Sequence, residues 1–265
     1  MSGGKKLSIR CHGPLVADLR HDRAARLYGR EVHAWFTTLA KERSALARYE
    51  TLLDMEERAR ADRFRFDEDR ERFIIGHGLL RLHLGHYLGI APTSVRMLRG
   101  KHGKPYLQDH DLHFNLSDTK DALVIAVART EQLGVDVETM DRNVDHLSVG
   151  EHYFSSAEVE GMRTAMEPKR RFLELWTRKE AVLKASGVGI MEDLRILNVN
   201  EHEQEMTIHH PEFIALAGNA YDVSTWSVGE RHIVSIALPA PPDQVHFFAT
   251  APAVTPHLPR SGDGN

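Results

Sequence analysis

The chain has 265 residues, of which 42% are hydrophobic and 27% are charged, as is ordinary for a globular protein. Its formal net charge of −4 argues against a general affinity for nucleic acid or for an anionic membrane. The single cysteine, Cys11, excludes an internal disulfide framework, and no apolar run is long enough to cross a membrane. Residues 1–10 lack the apolar core of a signal peptide, so the sequence predicts a cytoplasmic protein.

The first half of the chain is predicted to contain strands and one long helix. Residues 1–30 are polar and basic with little periodicity, and they are predicted to be a poorly ordered arm. An α+β half follows over residues 31–130 and begins with a strand at 31–36. Its long helix is predicted from residue 67 to residue 88, because apolar residues form a broad stripe there and Gly89 ends the pattern.

The second half repeats this pattern of elements without a strict sequence repeat. Residues 131–240 contain a strand at 133–138, a long helix at 169–186 and several further short strands. The predicted fold is therefore α+β, a pseudo-dimer of two similar subdomains, each a long helix packed on a small antiparallel sheet. A monomer is expected, because the duplicated interface is already internal. Residues 241–265, rich in Pro, Gly and Ser, are predicted to be a flexible tail.

Two acidic residues lie on one side of the strand at the start of this second half. Side chains alternate along a strand, so Asp136 and Glu138 project one way while Val135 and Val137 point into a core. Paired carboxylates repel each other unless a cation lies between them, and hard oxygen ligands suit Mg²⁺ better than zinc. The alternative is a solvated edge strand that carries two acids by chance.

The helix at 169–186 carries a third acidic residue and two lysines. Glu180 lies one turn from Trp176 and one turn from Lys184, since residues i and i+4 stack on a helix. Lys179 lies in line with the buried face, where a charge needs a partner. The alternative is an ordinary helix surface, stabilised by a Glu180–Lys184 pair contributing about 0.2–0.5 kcal/mol.

The strand and helix motifs together resemble those of the Sfp-type 4′-phosphopantetheinyl transferase family. The strand motif is Gly-Val-Asp-Val-Glu at 134–138, and the helix motif is Trp-x-x-Lys-Glu-x-x-x-Lys at 176–184. Flanking segments also match family motifs: Gly-Lys-Pro at 103–105, Phe-Asn-Leu-Ser at 114–117 and Tyr-Phe-Ser at 153–155. The resemblance extends from about residue 32 to residue 238.

The resemblance implies transfer of the 4′-phosphopantetheine arm of coenzyme A (CoA) to a serine of an apo carrier protein, with release of 3′,5′-ADP. By position, Asp136, Glu138 and Glu180 are expected to bind Mg²⁺, with Mn²⁺ as an alternative ion. Glu180 is also expected to act as the base toward the carrier serine. Lys184, and with it Lys179, is expected to neutralise phosphate.

The resemblance also implies where CoA binds. The adenine and 3′-phosphate are expected to contact the Gly-Lys-Pro loop, and further phosphate contacts are expected at three side chains. These expected CoA-binding residues are Gly103, Lys104, Pro105, Ser117, Arg60 and Arg72. For Arg60 the alternative is a solvated helix charge.

One position departs from the family motif. Asp118 follows the Phe-Asn-Leu-Ser segment where the family often has a histidine, and its carboxylate would repel a phosphate by about 1 kcal/mol or more. Either Asp118 turns away from the phosphate, or another cation such as His77 or Arg81 replaces the missing contact.

The implied partner is an acidic, helical carrier protein of the acyl, polyketide or peptidyl type. The basic run at 169–171 and an exposed Arg178 are candidates for attracting it, and the loops between residues 140 and 152 for contacting its helix. Two other classes of function stay open. One is a metal-dependent phosphohydrolase acting on nucleotides or CoA, and the other is a non-catalytic CoA- or carrier-binding relative.

Overall fold

A computed structural model of the chain describes residues 4–21, 26–189 and 191–250. Its strands are β1 (Lys5–Val16), β2 (Leu19–Arg20), β3 (Glu31–Thr38), β4 (Met97–Arg99), β5 (Pro105–Leu107), β6 (His113–Asp118), β7 (Ala122–Ala128), β8 (Gly134–Thr139), β9 (His202–Ile208), β10 (Ala220–Val228), β11 (His232–Leu238) and β12 (Gln244–Ala249). Its helices are α1 (Leu39–Glu42), α2 (Leu46–Leu52), α3 (Met55–Ala61), α4 (Asp67–Leu88), α5 (His146–Tyr153), α6 (Ser156–Thr164), α7 (Pro168–Ser186) and α8 (Pro211–Leu216).

Each half contains a five-stranded sheet and one long helix. The sheet of the N-terminal half has the strand order β2-β12-β3-β7-β6, and that of the C-terminal half has the order β8-β11-β10-β1-β9. The predicted α+β fold with two similar halves is therefore confirmed. Both sheets are mixed rather than purely antiparallel, since β1 pairs with β10 and β12 pairs with β3 in parallel. None of the described helices is long and apolar enough to cross a lipid bilayer.

The two long helices have the ends that the sequence predicts. Three acidic residues occupy the first turn of α4, where they interact favourably with the helix dipole. Gly89 ends that helix with a φ of 67°, and Gly187 ends α7 with a φ of 71°. Glycine adopts this left-handed conformation without a steric penalty, which is why both helices stop there.

The predicted poorly ordered arm is wrong for Lys5–Val16, which forms β1. Leu7, Ile9 and Cys11 alternate with polar residues and are at most 4% exposed. This strand lies inside the sheet of the C-terminal half, paired in parallel with β10 and antiparallel with β9. The period-two alternation is present in the sequence, but the abundance of Lys, Arg and His in this segment obscures it.

The predicted flexible tail is wrong for residues 244–249, which form β12. Phe247 and Phe248 are each 3% exposed, and the strand pairs in parallel with β3 of the N-terminal half. The remainder of that tail, from residue 251 onward, lies outside the described residues. The boundary between the halves near residue 131 stays a prediction.

Because β1 is an interior strand, its apolar side chains are expected to contribute strongly to stability. Ile9→Ala is expected to lower the free energy of unfolding by about 2–4 kcal/mol, since it leaves a cavity under a fully buried side chain. Lys6→Ala, on the exposed face of the same strand, is the matched control and is expected to change it by less than about 0.5 kcal/mol. Urea unfolding of both variants measures the difference. Equal stabilities would mean that the segment is not part of the core.

β8 lies where the two sheets meet. Val135 and Val137 belong to the apolar core between the sheets, together with residues of β3, β7 and β11. Side chains of β6 act in place of a neighbouring strand's carbonyls. Asn115 Oδ1 accepts a hydrogen bond from the Val135 amide at 2.8 Å, and Ser117 Oγ accepts one from the Val137 amide at 3.3 Å. With Val135 and Val137 in this core, the other face of β8, which carries Asp136 and Glu138, is directed toward α7.

Candidate active site

The packing of α7 against β8 determines which side chains meet. A Cβ atom at Gly134 would lie 2.1 Å from the Ala181 carbonyl oxygen and 2.4 Å from the Ala185 amide nitrogen. Only glycine therefore permits this close approach of strand and helix. Asp136 and Glu138 lie on the same face of β8 as Gly134. The approach consequently brings Glu180 and Lys184 of α7 beside these two acids.

Asp136 is 6% exposed, and one of its two carboxylate oxygens is held by neighbouring side chains. Its Oδ1 accepts hydrogen bonds from Ser117 Oγ at 2.8 Å and from Lys184 Nζ at 2.6 Å. Lys184 Nζ also donates to Ser117 Oγ at 2.8 Å, so the ammonium is held in one place. The buried Oδ2 of Asp136 has no hydrogen-bond partner among the described residues. Lys184 thus pairs with the strand acid, whereas the simple helix-surface alternative paired it with Glu180.

Glu138 is held by two neighbours. Its Oε1 forms an ion pair with Arg142, and its Oε2 accepts a hydrogen bond from Thr119 Oγ1 at 3.2 Å. Burial, and after it the neighbouring charge of Asp136, raise the pKa of Glu138 to about 7 against the opposing effect of Arg142. Arg142 was not predicted as a site residue. The available signal is its position four residues after Glu138, just beyond the end of the strand.

Glu180 completes the acidic group. Burial raises the pKa of Glu180, and the charge of Asp136 raises it as well, while Lys184 and Arg142 lower it. A surface cavity of about 460 Å³ contains the three carboxylates and Arg142. Its lining residues are Arg72, Asp118, Thr119, Lys120, Asp136, Glu138, Arg142, Asn143, Trp176 and Glu180.

The three carboxylates are suited to a hard divalent cation, although no three His, Cys, Asp or Glu side chains of the described ranges are gathered closely enough to hold one. Their present cationic neighbours are Lys184 and Arg142. The buried Oδ2 of Asp136 has no partner in the part of the chain that the structure describes, and the charge of Asp136 raises the pKa of both Glu138 and Glu180. A divalent ion would satisfy that oxygen and relieve this repulsion, and its preferred ligands are carboxylate oxygens. The donor set therefore fits Mg²⁺ or Mn²⁺.

A second cavity, of about 350 Å³, adjoins the first and contains several of the residues predicted to bind CoA. Arg60, Arg72, Gly103 and Pro105 line it, and it shares Arg72 and Asp118 with the acidic cavity. The Arg60 guanidinium lies 5.2 Å from the centre of the Phe73 ring. Further lining residues that the sequence did not indicate are Phe64, Phe73, Gly76 and Arg99.

Asp118 does not stand as an isolated charge in this cavity. Arg72 donates to Asp118 at 2.6 Å and to Asp69 at 2.7 Å, so one guanidinium bridges two carboxylates. Of the two suggested substitutes, His77 lines the cavity and its Nδ1 lies 2.8 Å from the Glu57 carboxylate. Arg81 is wrong as a substitute, because it is 1% exposed and its guanidinium binds the carboxylates of Glu57 and Asp54.

Lys104 lies in a third cavity, of about 260 Å³, which shares Gly103 and Pro105 with the second and Glu180 with the first. Its ammonium donates to the carbonyl oxygen of Leu133 at 2.9 Å and to that of Lys184 at 2.6 Å. Burial lowers the pKa of Lys104 to about 8. The lysine thus ties the loop before β5 to the last turn of α7, where carbonyls lack helical partners.

Two cationic residues of α7 are wrongly predicted. Lys179 is fully buried, and its ammonium donates to the Glu158 carboxylate at 2.9 Å and to the Leu194 carbonyl at 2.9 Å, away from the acidic cavity. It therefore does not line any of the cavities described here. Arg178 is also fully buried rather than exposed, with hydrogen bonds to Thr225 and Val199. The Arg178 error arises because α7 is covered on several sides, whereas the Lys179 error arises because its partner Glu158 belongs to another helix.

Comparison with known proteins relates both halves of the chain to one family. Residues 132–237 match a family model described as the 4′-phosphopantetheinyl transferase superfamily. Residues 38–130 match a second model, described as 4′-phosphopantetheinyl transferase, N-terminal.

Individual relatives carry the same description. The chain is 38% identical to 4′-phosphopantetheinyl transferase HetI of Nostoc sp. over 174 residues, which is 63% of this chain and 73% of HetI. It is 31% identical to a phosphopantetheinyl transferase of Thraustochytrium sp., over 60% of this chain and 62% of that relative. It is 26% identical to 4′-phosphopantetheinyl transferase Sfp of Bacillus subtilis, over 62% of this chain and 74% of Sfp.

Proposed function

The chain belongs to the 4′-phosphopantetheinyl transferase superfamily, and from this we propose that it transfers the 4′-phosphopantetheine arm of CoA to a serine of an apo carrier protein and releases 3′,5′-ADP. The observation that carries the proposal is the meeting of Asp136, Glu138 and Glu180 with Lys184 at the β8–α7 contact. The relatives are transferases by name, which disfavours both a nucleotide or CoA phosphohydrolase and a non-catalytic binding module.

Asp136, Glu138 and Glu180 are the proposed ligands of Mg²⁺, or of Mn²⁺ in its place. When bound, the ion would neutralise negative charge on the pyrophosphate of CoA as the leaving group departs. Glu180 would take the proton of the carrier serine hydroxyl, and its raised pKa makes it a stronger base than an ordinary carboxylate. Lys184, held in position by Ser117 and Asp136, would present a fixed positive charge to the phosphates.

The proposed CoA-binding region is the cavity beside the acidic group. Gly103 and Pro105 would contact the adenine, while Arg60 and Arg72 would contact phosphate. Ser117 and Lys104 would act by position, Ser117 by orienting Lys184 and Lys104 by fixing the loop to α7. The repulsion between Asp118 and a phosphate there would be weakened, because Arg72 offsets part of the charge of Asp118.

Arg60 allows the position of the 3′-phosphate to be tested. Arg60→Ala is expected to raise KM for CoA about tenfold, the loss of one charge-assisted hydrogen bond, with little change in KM for 3′-dephospho-CoA. Steady-state transfer kinetics with both donors measure the effect. Arg63→Ala, an exposed arginine on the same segment, serves as the control. Equal increases for both donors would show that Arg60 does not contact the 3′-phosphate.

The proposed partner is an acidic, helical carrier protein, and the proposed setting is a cytoplasmic monomer. The basic run at 169–171 is partly neutralised, since Arg170 pairs with Glu167 and Arg171 pairs with Glu201. Attraction of an acidic carrier would therefore depend more on Lys169 and on Lys120 at the mouth of the acidic cavity.

The proposal is tested by mixing the protein with CoA, Mg²⁺ and separate apo carriers of the acyl, polyketide and peptidyl types. Mass spectrometry is expected to show one phosphopantetheine added to at least one carrier, and none without Mg²⁺. Cleavage of CoA in the absence of any carrier would support the phosphohydrolase instead. Binding of CoA without turnover on any carrier would support the non-catalytic relative.

A further inference from the structure

Arg142 lies between an acid of the candidate site and an aromatic ring. Its guanidinium forms the ion pair with Glu138 and lies 5.1 Å from the centre of the Trp176 ring. The side chain is 32% exposed, whereas that of Glu138 is 12% exposed. The backbone of Arg142 is fixed by a 3.0 Å hydrogen bond from its amide to the Thr139 carbonyl. The guanidinium can therefore move toward solvent while its backbone stays in place.

The three acids differ in how their oxygens are used. Both oxygens of Glu138 are engaged, one by Arg142 and the other by Thr119. Asp136, in contrast, keeps one buried oxygen without a partner among the described residues. A divalent ion shared by all three acids needs an oxygen of Glu138. Such an ion would lie beside the Arg142 guanidinium on the same carboxylate, so the two cations would repel each other.

The net charge of the site determines whether Arg142 stays beside Glu138 when a divalent ion binds. The site holds three carboxylates against the ammonium of Lys184 and the guanidinium of Arg142, which leaves an excess of one negative charge when all are ionised. Adding a divalent ion while Arg142 stays in place reverses that excess and sets two cations beside one carboxylate. Displacing the guanidinium removes this repulsion, and the face of Trp176 offers it a favourable position nearby.

We propose that Arg142 is a built-in counter-ion of the metal site, which neutralises Glu138 while the site is empty and is displaced when the divalent ion binds. This rests on the proposed function, because it takes Asp136, Glu138 and Glu180 as the metal ligands. Arg142 is thereby a positioning residue that lowers metal affinity. It also keeps the empty site from the full repulsion of three adjacent carboxylates.

The test is Mn²⁺ binding to the full-length, metal-free protein, followed by electron paramagnetic resonance of free Mn²⁺. Arg142→Ala is expected to tighten Mn²⁺ binding roughly fivefold, because the ion no longer displaces a cation from Glu138. In a Glu138→Gln background the same substitution is expected to have no effect. Arg231→Ala is the matched control. Arg231 pairs with Asp141, the residue before Arg142, but it does not line the acidic cavity.

The outcomes separate this inference from the proposed function. Asp136→Ala is expected to abolish Mn²⁺ binding, which tests the metal site itself. Unchanged or weaker Mn²⁺ binding in Arg142→Ala, with binding still lost in Asp136→Ala, would overturn the counter-ion and leave the metal site standing. If Arg142→Ala tightened Mn²⁺ binding equally in the wild-type and Glu138→Gln backgrounds, the counter-ion would also be overturned. The effect would then come from the overall positive charge of Arg142 and not from its pairing with Glu138. Binding unaffected by Asp136→Ala would overturn both.

Discussion

Asp136→Ala is expected to reduce the rate of phosphopantetheine transfer by a factor of about 10³ or more, with the fold intact. Asp136 supplies the buried oxygen for which the described residues offer no partner, and it also holds Lys184 in position. Its removal would therefore take away a metal ligand and loosen a phosphate-facing charge together. Losing a single preorganised electrostatic group at an active site commonly costs 10²–10³ in rate, roughly.

The fold should survive because the groups left behind keep other partners. The Lys184 side chain is 29% exposed and retains its hydrogen bond to Ser117. Mass spectrometry of the carrier measures the rate, and circular dichroism checks the fold. Glu180→Ala is expected to behave in the same way, while Glu160→Ala on the exposed face of α6 is the control. A variant that retained near-normal transfer would show the metal assignment to be wrong.

Neutralising Asp136 also has a predictable effect on the pH dependence of stability. The pKa of Glu138 is raised from 4.5 to about 7 in the folded chain, so the folded state binds more protons than the unfolded state between these values. The free energy of unfolding of the metal-free protein should therefore fall as pH rises through this window. Because Asp136 contributes to the raised pKa, Asp136→Asn is expected to flatten this fall. Urea unfolding at pH 5, 6 and 7, roughly spanning the window, measures it.

Lys179→Met is expected to lower the free energy of unfolding by about 3–5 kcal/mol, the cost of breaking a buried ion pair from one side. The side chains of Lys179 and Glu158 are both fully buried. Glu158 also accepts hydrogen bonds from the Ser155 and Val199 amides at 2.8 and 2.9 Å, so its carboxylate joins α6, α7 and the segment before β9. Without the lysine that carboxylate would be a buried charge with no counter-ion.

A second substitution distinguishes this structural role from CoA binding. Glu158→Gln in the Lys179→Met background is expected to recover part of the lost stability, because it removes the uncompensated charge. Lys169→Met, earlier on the same helix, is the control and should have little effect. Urea unfolding and KM for CoA are measured on each variant. A stable Lys179→Met protein with a strongly raised KM for CoA would instead restore the CoA contact implied by the family motif.

Local sequence patterns predict part of this architecture and part of the site. The ends of α4 and α7 are readable because glycine stops both helices, and the strand motif places Asp136 and Glu138 on one face. Local patterns do not predict which side chains pair when they lie far apart in the chain. The periodicity of α7 indicates that Lys179 needs a counter-charge, but nothing nearby identifies Glu158, which belongs to another helix. Arg142 was missed for a different reason: its partner Glu138 is only four residues away, but Arg142 follows the motif rather than forming part of it.

The strands β1 and β12 are exchanged between the two halves of the chain. Each belongs to the sheet of the half that lies farther from it in sequence. Separating the halves would break the backbone hydrogen bonds of β1 with its neighbours and those of β12 with β3. A flexible linker between two domains would permit the same separation without breaking any. The two halves are thus joined by strand pairing at both ends of the chain. This pairing holds in place the contact between the sheets, where β8 carries the acids. Neither half excised at residue 131 would hold its full complement of strands, so we expect the two halves to unfold in a single transition.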